Sequence, residues 1–345
     1  MGSTNAMVET ERLIVSTSPH IKTKDSCPKI MWSVVIALIP AGVAGILIFG
    51  FSALKVISIS LVSAILSEAI IQKLSHKKIT IADGSCFITG LLLAYNLPPS
   101  VPWWIPAIGS FFAIAIAKQA FGGLGYNIFN PALAARAFLL ASWPKYMTKW
   151  IPPRWYPDAL STATPLTVIK HHLVDAVSGA TILNIVEEKK FMHTLAFYGK
   201  LFLGDRAGCI GEVCILAIIS GGFFLLYKGY IRWYTPFTFI FTVGFLSWIF
   251  LGNGLFNGDW LFYILSGGLF LGAFFMATDY VTTPLTKKGQ IIFGFGCGIL
   301  TFLIRKFGGY PEGVSYSILI MNAFTPLIDR YTKTRKFGLV KKLKS

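Results

Sequence analysis

Between two long blocks of apolar sequence lies a short polar run, Asp175-Ala176-Val177-Ser178-Gly179-Ala180-Thr181, whose residue types suit chemistry at a single hydroxyl. Gly179 and Ala180 leave the backbone beside Thr181 accessible. Asp175 and Ser178 can order a turn through local side-chain to backbone hydrogen bonds. Thr181 then supplies an oxygen that a modifying enzyme can engage. The plainer alternative is an Asp/Ser/Gly turn that enters a helix at Ile182. With ordinary residue usage, five fixed positions of this kind arise by chance in roughly a few of every ten thousand chains this long.

The elements around this run are set by composition. Of 345 residues, 54% are hydrophobic and 13% charged, against about 25% charged in soluble domains. The apolar residues fall in blocks of about 18 to 22, the length of helix that crosses a hydrocarbon core of ~30 Å. An all-α polytopic membrane protein follows, and a soluble enzyme is excluded. The net charge of +16 does not point to nucleic acid, because seven of the 31 Lys/Arg lie between Arg330 and Lys344. A basic tail after a last span is a cytoplasmic topology determinant that lies near anionic lipid. Cys27, Cys86, Cys209, Cys214 and Cys297 show neither a disulfide framework nor zinc spacing. No Gly-rich dinucleotide fingerprint follows an expected strand, so NAD belongs on a partner.

Residues 1–29 form a polar cytoplasmic segment, and apolar blocks follow near 30–50, 53–72, 84–97, 103–121 and 127–143. The third block is short and runs into Pro98-Pro99, which predicts a broken segment held inside protein. Residues 144–207, with the Thr181 run, make an extracytoplasmic loop. Five more blocks lie near 208–227, 232–252, 259–278, 289–305 and 311–329, and residues 330–345 are the basic cytoplasmic tail. Ten spans with both termini inside satisfy the Lys/Arg bias at almost every loop.

The halves 30–143 and 208–329 echo each other. Lys118-Gln119-Ala120-Phe121-Gly122-Gly123 pairs with Arg305-Lys306-Phe307-Gly308-Gly309, and Asn130-Pro131 with Thr325-Pro326. Two five-span units, each with an odd number of crossings, must sit inverted in the membrane, with sites at their interface.

The Asp-x-x-Ser-Gly-Ala-Thr run is similar to the acceptor sequence of bacterial flavin transferases, which join the phosphate of FMN to a threonine hydroxyl. Together with Ser16-Thr17-Ser18-Pro19-His20, the run from Phe121-Gly122-Gly123 to Asn130-Pro131-Ala132, and Met276-Ala277-Thr278-Asp279, it resembles one family. That family holds the D subunits of Rnf-type ferredoxin:NAD oxidoreductases and the B subunits of sodium-pumping NADH:quinone oxidoreductases. The compact length resembles the former more.

The resemblance implies a urea-transporter-like fold, covalent FMN on Thr181, and a second, non-covalent flavin such as riboflavin. It also implies electron transfer coupled to Na+ or H+ export, with a flavin transferase and other membrane subunits as partners. In that setting Asp175, Ser178, Gly179 and Ala180 shape the acceptor turn.

Ionisable residues inside spans are functional candidates, and Glu68 and Arg136 are the two singled out as ion-path candidates. Lys55, Lys118 and Glu212 sit near span ends, where snorkelling is the simpler expectation. Trp143, Trp150 and Trp155 flank the loop as flavin-stacking or interfacial aromatics. His171 and His172 read as solvated, since nothing nearby completes a metal set. The competing readings are a urea- or ammonium-type channel, which has no use for a flavinylation run, and a membrane subunit with a vestigial one.

Overall fold

The computed structural model describes residues 25–155, 164, 166, 195–252, 254–309 and 312–333. The run from Asp175 to Thr181, His171 and His172 all lie outside the described residues. Every regular element among the described residues is helical.

The first half contains α1 (Cys27–Phe49), α2 (Phe51–Leu74), α3 (Ser85–Tyr95), α4 (Trp104–Ala115) and α5 (Pro131–Ser142), followed by the single turn α6 (Pro144–Met147). The second contains α7 (Leu195–Leu203), α8 (Ile215–Tyr227), α9 (Tyr234–Phe250), α10 (Trp260–Leu265), α11 (Leu269–Leu271), α12 (Lys287–Phe307) and α13 (Val314–Tyr331). Among the described residues, four helical segments are long and apolar enough to cross a membrane: α1, α2, Trp104–Phe121 and α12.

Local sequence explains the ends. Asn130 caps α5, its side chain accepting from Ala132 N (3.1 Å) and Leu133 N (3.4 Å), and Pro131 supplies the first helical residue. The sequence places a span at 127–143, but the cap starts the helix four residues later, at Pro131. The block at 208–227 is helical only from Ile215, since Arg206 to Cys214 is built as turns.

The block at 259–278 is not one helix. Gly267, at φ +71°, breaks it after Ser266. It resumes at Leu269 and widens into a π-turn in which Ala277 N donates to Gly272 O at 2.7 Å. The expected break after α3 is present. Its last carbonyls are satisfied from the other half, Gly211 N donating to Tyr95 O (3.0 Å) and Ile210 N to Leu97 O (3.1 Å).

Within each half the second helix packs on the fourth, α2 on α4 and α9 on α12. The halves meet through α1 on α8 and α5 on α13. Small residues make these contacts close, as in membrane helix pairs generally. A Cβ at Gly221 of α8 would fall inside the van der Waals radius of the Ala37 carbonyl oxygen of α1, and one at Gly42 would meet the Tyr95 hydroxyl. Gly221→Ala should therefore force α1 and α8 apart and cost about 1–3 kcal/mol, read as a lower unfolding midpoint in detergent. An unchanged midpoint would mean that the interface has slack. Outward, α9 carries a ridge of exposed rings, Trp233, Phe237, Phe241 and Phe245.

Two of the echoed dipeptides occupy different places. Asn130-Pro131 opens α5, whereas Thr325-Pro326 lies within α13, where the Thr325 hydroxyl donates to Thr282 O (2.8 Å) and Met321 O (3.2 Å).

Candidate functional site: two buried charge clusters and the polar layer between them

The first cluster joins α2, α3 and the end of the α4 segment. Lys118 is 2% exposed and Glu68 is 1% exposed. The ammonium lies 2.9 Å from both Glu68 oxygens and 2.7 Å from Ser85 Oγ, so its three donors are all engaged. Glu68 Oε1 also accepts from Gln72 Nε2 and Gln119 Nε2, each at 3.0 Å. Ser85 Oγ in turn donates to Asp83 Oδ1 at 2.6 Å. Lys118 thus does not snorkel. The chain leaves helix geometry after Ala115, and this turns its side chain inward onto Glu68. Lys55 is exposed near the start of α2, as expected of a snorkelling side chain.

Beside this cluster a cavity of ≈ 90 Å³ opens between the halves, room for a few waters or a partly hydrated ion. Met31, Ser85, Lys118, Asn130, Tyr230 and Asp279 line it. A polar layer adjoins it through Asn130. Asn130 Nδ2 donates to Met276 O (3.4 Å) at the π-turn. With its amide oriented so that both atoms are paired, Asn322 accepts from Asn130 N (3.2 Å) and donates to Ile318 O (3.2 Å). Asn96, which caps the C-terminus of α3, donates to Leu92 O (2.6 Å). Its Oδ1 accepts from Arg136 Nη1 at 2.7 Å.

Arg136 leads into the second cluster. Its guanidinium also donates to Ser315 Oγ (3.1 Å) and Cys209 Sγ (3.8 Å), and it forms an ion pair with Glu312. Arg206 donates to Leu265 O (2.5 Å) and Glu212 O (2.8 Å). Arg305 donates to Tyr263 O (2.6 Å) and Ser266 O (3.1 Å). Two guanidiniums therefore saturate the carbonyls freed by the break between α10 and α11, which is how irregular backbone is tolerated at membrane depth. Glu212 is 3% exposed, so it too is buried rather than snorkelling.

Of the residues named from sequence, Glu68 and Arg136 fall in separate clusters. Trp143 packs edge-on against Trp104 and Phe138. Trp150 is buried, and Trp155 is exposed and donates to Asp205 (2.7 Å). Sequence reasoning missed Lys118, Glu212, Arg206 and Arg305 as buried charges, and the half-buried Glu312 paired with Arg136. The signal available was the echo of Lys118 in Arg305. Both prove to be buried cations, each holding a part of the third element of its half.

A family model described as NQR2, RnfD, RnfE matches residues 14–338. The chain belongs to that family. Among its relatives, the D subunit of the proton-translocating ferredoxin:NAD(+) oxidoreductase complex of Clostridium ljungdahlii is 49% identical over 339 residues, covering 96% of this chain and 98% of the relative. The D subunit of the Na(+)-translocating ferredoxin:NAD(+) oxidoreductase complex of Acetobacterium woodii is 48% identical over 331 residues, covering 95% and 96%. The D subunit of the ion-translocating oxidoreductase complex of Shigella boydii is 37% identical, covering 94% and 98%. The family match spans both halves, and with them both charge clusters.

Proposed function

We propose that this chain is the membrane flavoprotein subunit of an ion-translocating ferredoxin:NAD oxidoreductase complex, with FMN joined through its phosphate to Thr181. The observation that carries this reading is the near-full-length match to the D subunits of such complexes at 48–49% identity. The flavin supplies one- and two-electron carriage when attached. Asp175, Ser178, Gly179 and Ala180 present the threonine to a flavin transferase, and other subunits bring electrons in and take them away. A second flavin such as riboflavin belongs to the same proposal.

The packing supports the finer architecture of ten crossings as two inverted five-helix repeats. First helix meets first, fifth meets fifth, and second packs on fourth in both halves, as a pseudo-two-fold axis requires. Sidedness has support too. The start of α1, the start of α3, Lys118, the loop at Tyr230 and Asp279 gather around one cavity, and each is an end that the Lys/Arg bias assigns to the cytoplasm. The termini then lie inside and the Thr181 loop lies outside, in the cytoplasmic membrane of a prokaryote.

On this reading the chain's residues form an ion route. It begins at the cavity beside Lys118 and Glu68, passes the layer of Asn96, Asn130 and Asn322, and ends at Arg136 and the second cluster. The test is ion transport by the whole complex in liposomes, driven by reduced ferredoxin and NAD. Na+ or H+ movement should be lost in Thr181→Ala with the complex still assembled. Transport at the wild-type rate in that variant would contradict the proposal.

A further inference from the structure

One carboxylate in the second cluster is not accounted for by the packing around it. Glu212 Oε1 accepts from Cys209 N at 2.9 Å, whereas Oε2 has no hydrogen-bond partner among the described residues. Nearby, Ser266 Oγ and Arg305 Nε are also buried without partners among those residues. The backbone of the α10 to α11 break lies over the site. A Cβ at Gly268 would sit 2.9 Å from Glu212 Oε2, and one at Gly267 would sit 3.2 Å from Arg305 Nη2 and 4.0 Å from Glu312 Cγ. Carboxylate oxygens of Glu212 and Glu312 and the Cys209 sulfur lie within 4.8 Å of one another.

A buried ionised carboxylate without its full set of donors is costly. None of the three guanidiniums donates to Oε2 among the described residues. Arg136 bonds Glu312, Asn96 and Ser315, Arg206 bonds two carbonyls, and Arg305 bonds the carbonyls of Tyr263 and Ser266. Glu312 adds a like charge, which two neighbouring carboxylates relieve by sharing a proton. A divalent metal ion is disfavoured by the three guanidiniums, whereas a proton needs only the free lone pair on Oε2.

We propose that Glu212, paired with Glu312, is a proton-binding site, and that it is the last protonatable station of the route described above. The second half of this statement rests on the ion-route reading; the protonation itself does not. Release toward Glu312 would compete with Arg136 for that carboxylate. The transfer is of H+ alone, from one carboxyl oxygen to another or to water, with no change in oxidation state.

The test is infrared spectroscopy of the purified complex, poised in one redox state and titrated in H2O and D2O. The wild-type minus Glu212→Gln difference spectrum should contain a carboxylic-acid carbonyl band that shifts to lower frequency in D2O. The band should be lost in one step at high pH and stay unchanged when Na+ replaces K+ at constant pH. Glu212→Asp keeps the carboxyl and should move the band rather than remove it, so the site remains testable if the glutamine variant does not assemble. Absence of any acid band assignable to Glu212 in both variants would overturn the proposal. So would a band that Na+ titrates away at constant pH, since the occupant would then be the metal ion. These readouts need no turnover, so a failed transport assay and a failed protonation site are distinguishable.

Discussion

Glu68→Ala should be among the most damaging single substitutions in the chain, costing about 3–5 kcal/mol, because it leaves the Lys118 ammonium buried without its counter-ion. Lys118 is 2% exposed and lies 2.9 Å from both Glu68 oxygens, so the loss removes the charge that compensates its burial. Lys118→Met should cost a similar amount for the mirror-image reason, and Gln72 and Gln119 would remain as the only donors to Glu68 among the described residues. The double variant Glu68→Leu/Lys118→Met should recover most of either loss, because an apolar pair of similar volume avoids the desolvation of two charges. Unfolding midpoints in detergent and a double-mutant cycle measure this directly. Single variants within about 1 kcal/mol of wild type would show that the pair is hydrated.

Arg136→Lys should fail almost as badly as Arg136→Met. The guanidinium spans two groups of partners, Asn96 and Ser315 from Nη1, Glu312 and Cys209 from Nη2. A lysine is a point charge on a flexible stem and cannot hold both sides of that fork. Removing the arginine also leaves Glu312 beside Glu212 without the ion pair that Arg136 makes, so a loss of about 3–5 kcal/mol is expected for the methionine variant. More than half of it should persist in the lysine variant. Full stability in Arg136→Lys would mean that charge alone, rather than the fork, ties α5 to α13.

Much of this architecture is legible in the sequence. Long apolar blocks mark α1, α2, α4 and α12, and Pro98-Pro99 marks the broken third element. The second break is hidden. Ser266-Gly267-Gly268 sits in an apolar run, and only the positive φ of Gly267 shows that the chain turns there. The charges are misread for a related reason. Distance from a span's end predicts snorkelling for Lys118 and Glu212, yet both are buried, Lys118 against Glu68 and Glu212 beneath the backbone near Gly268. Hydropathy carries no information about such pairings. The echo of Lys118 in Arg305 does carry some, since each of these basic residues closes onto the third element of its own half.

The redox role proposed for this chain depends on whether Thr181 carries a flavin. The most direct measurement is in-gel flavin fluorescence of the denatured chain, co-expressed with a flavin transferase, beside Thr181→Ala, with peptide mass spectrometry to locate the adduct. Fluorescence that survives denaturation, vanishes in the variant and maps to the peptide holding Asp175 to Thr181 is the predicted result. A wild-type chain without covalent flavin, made beside an active transferase, would contradict that role and leave a transporter-like membrane subunit in its place.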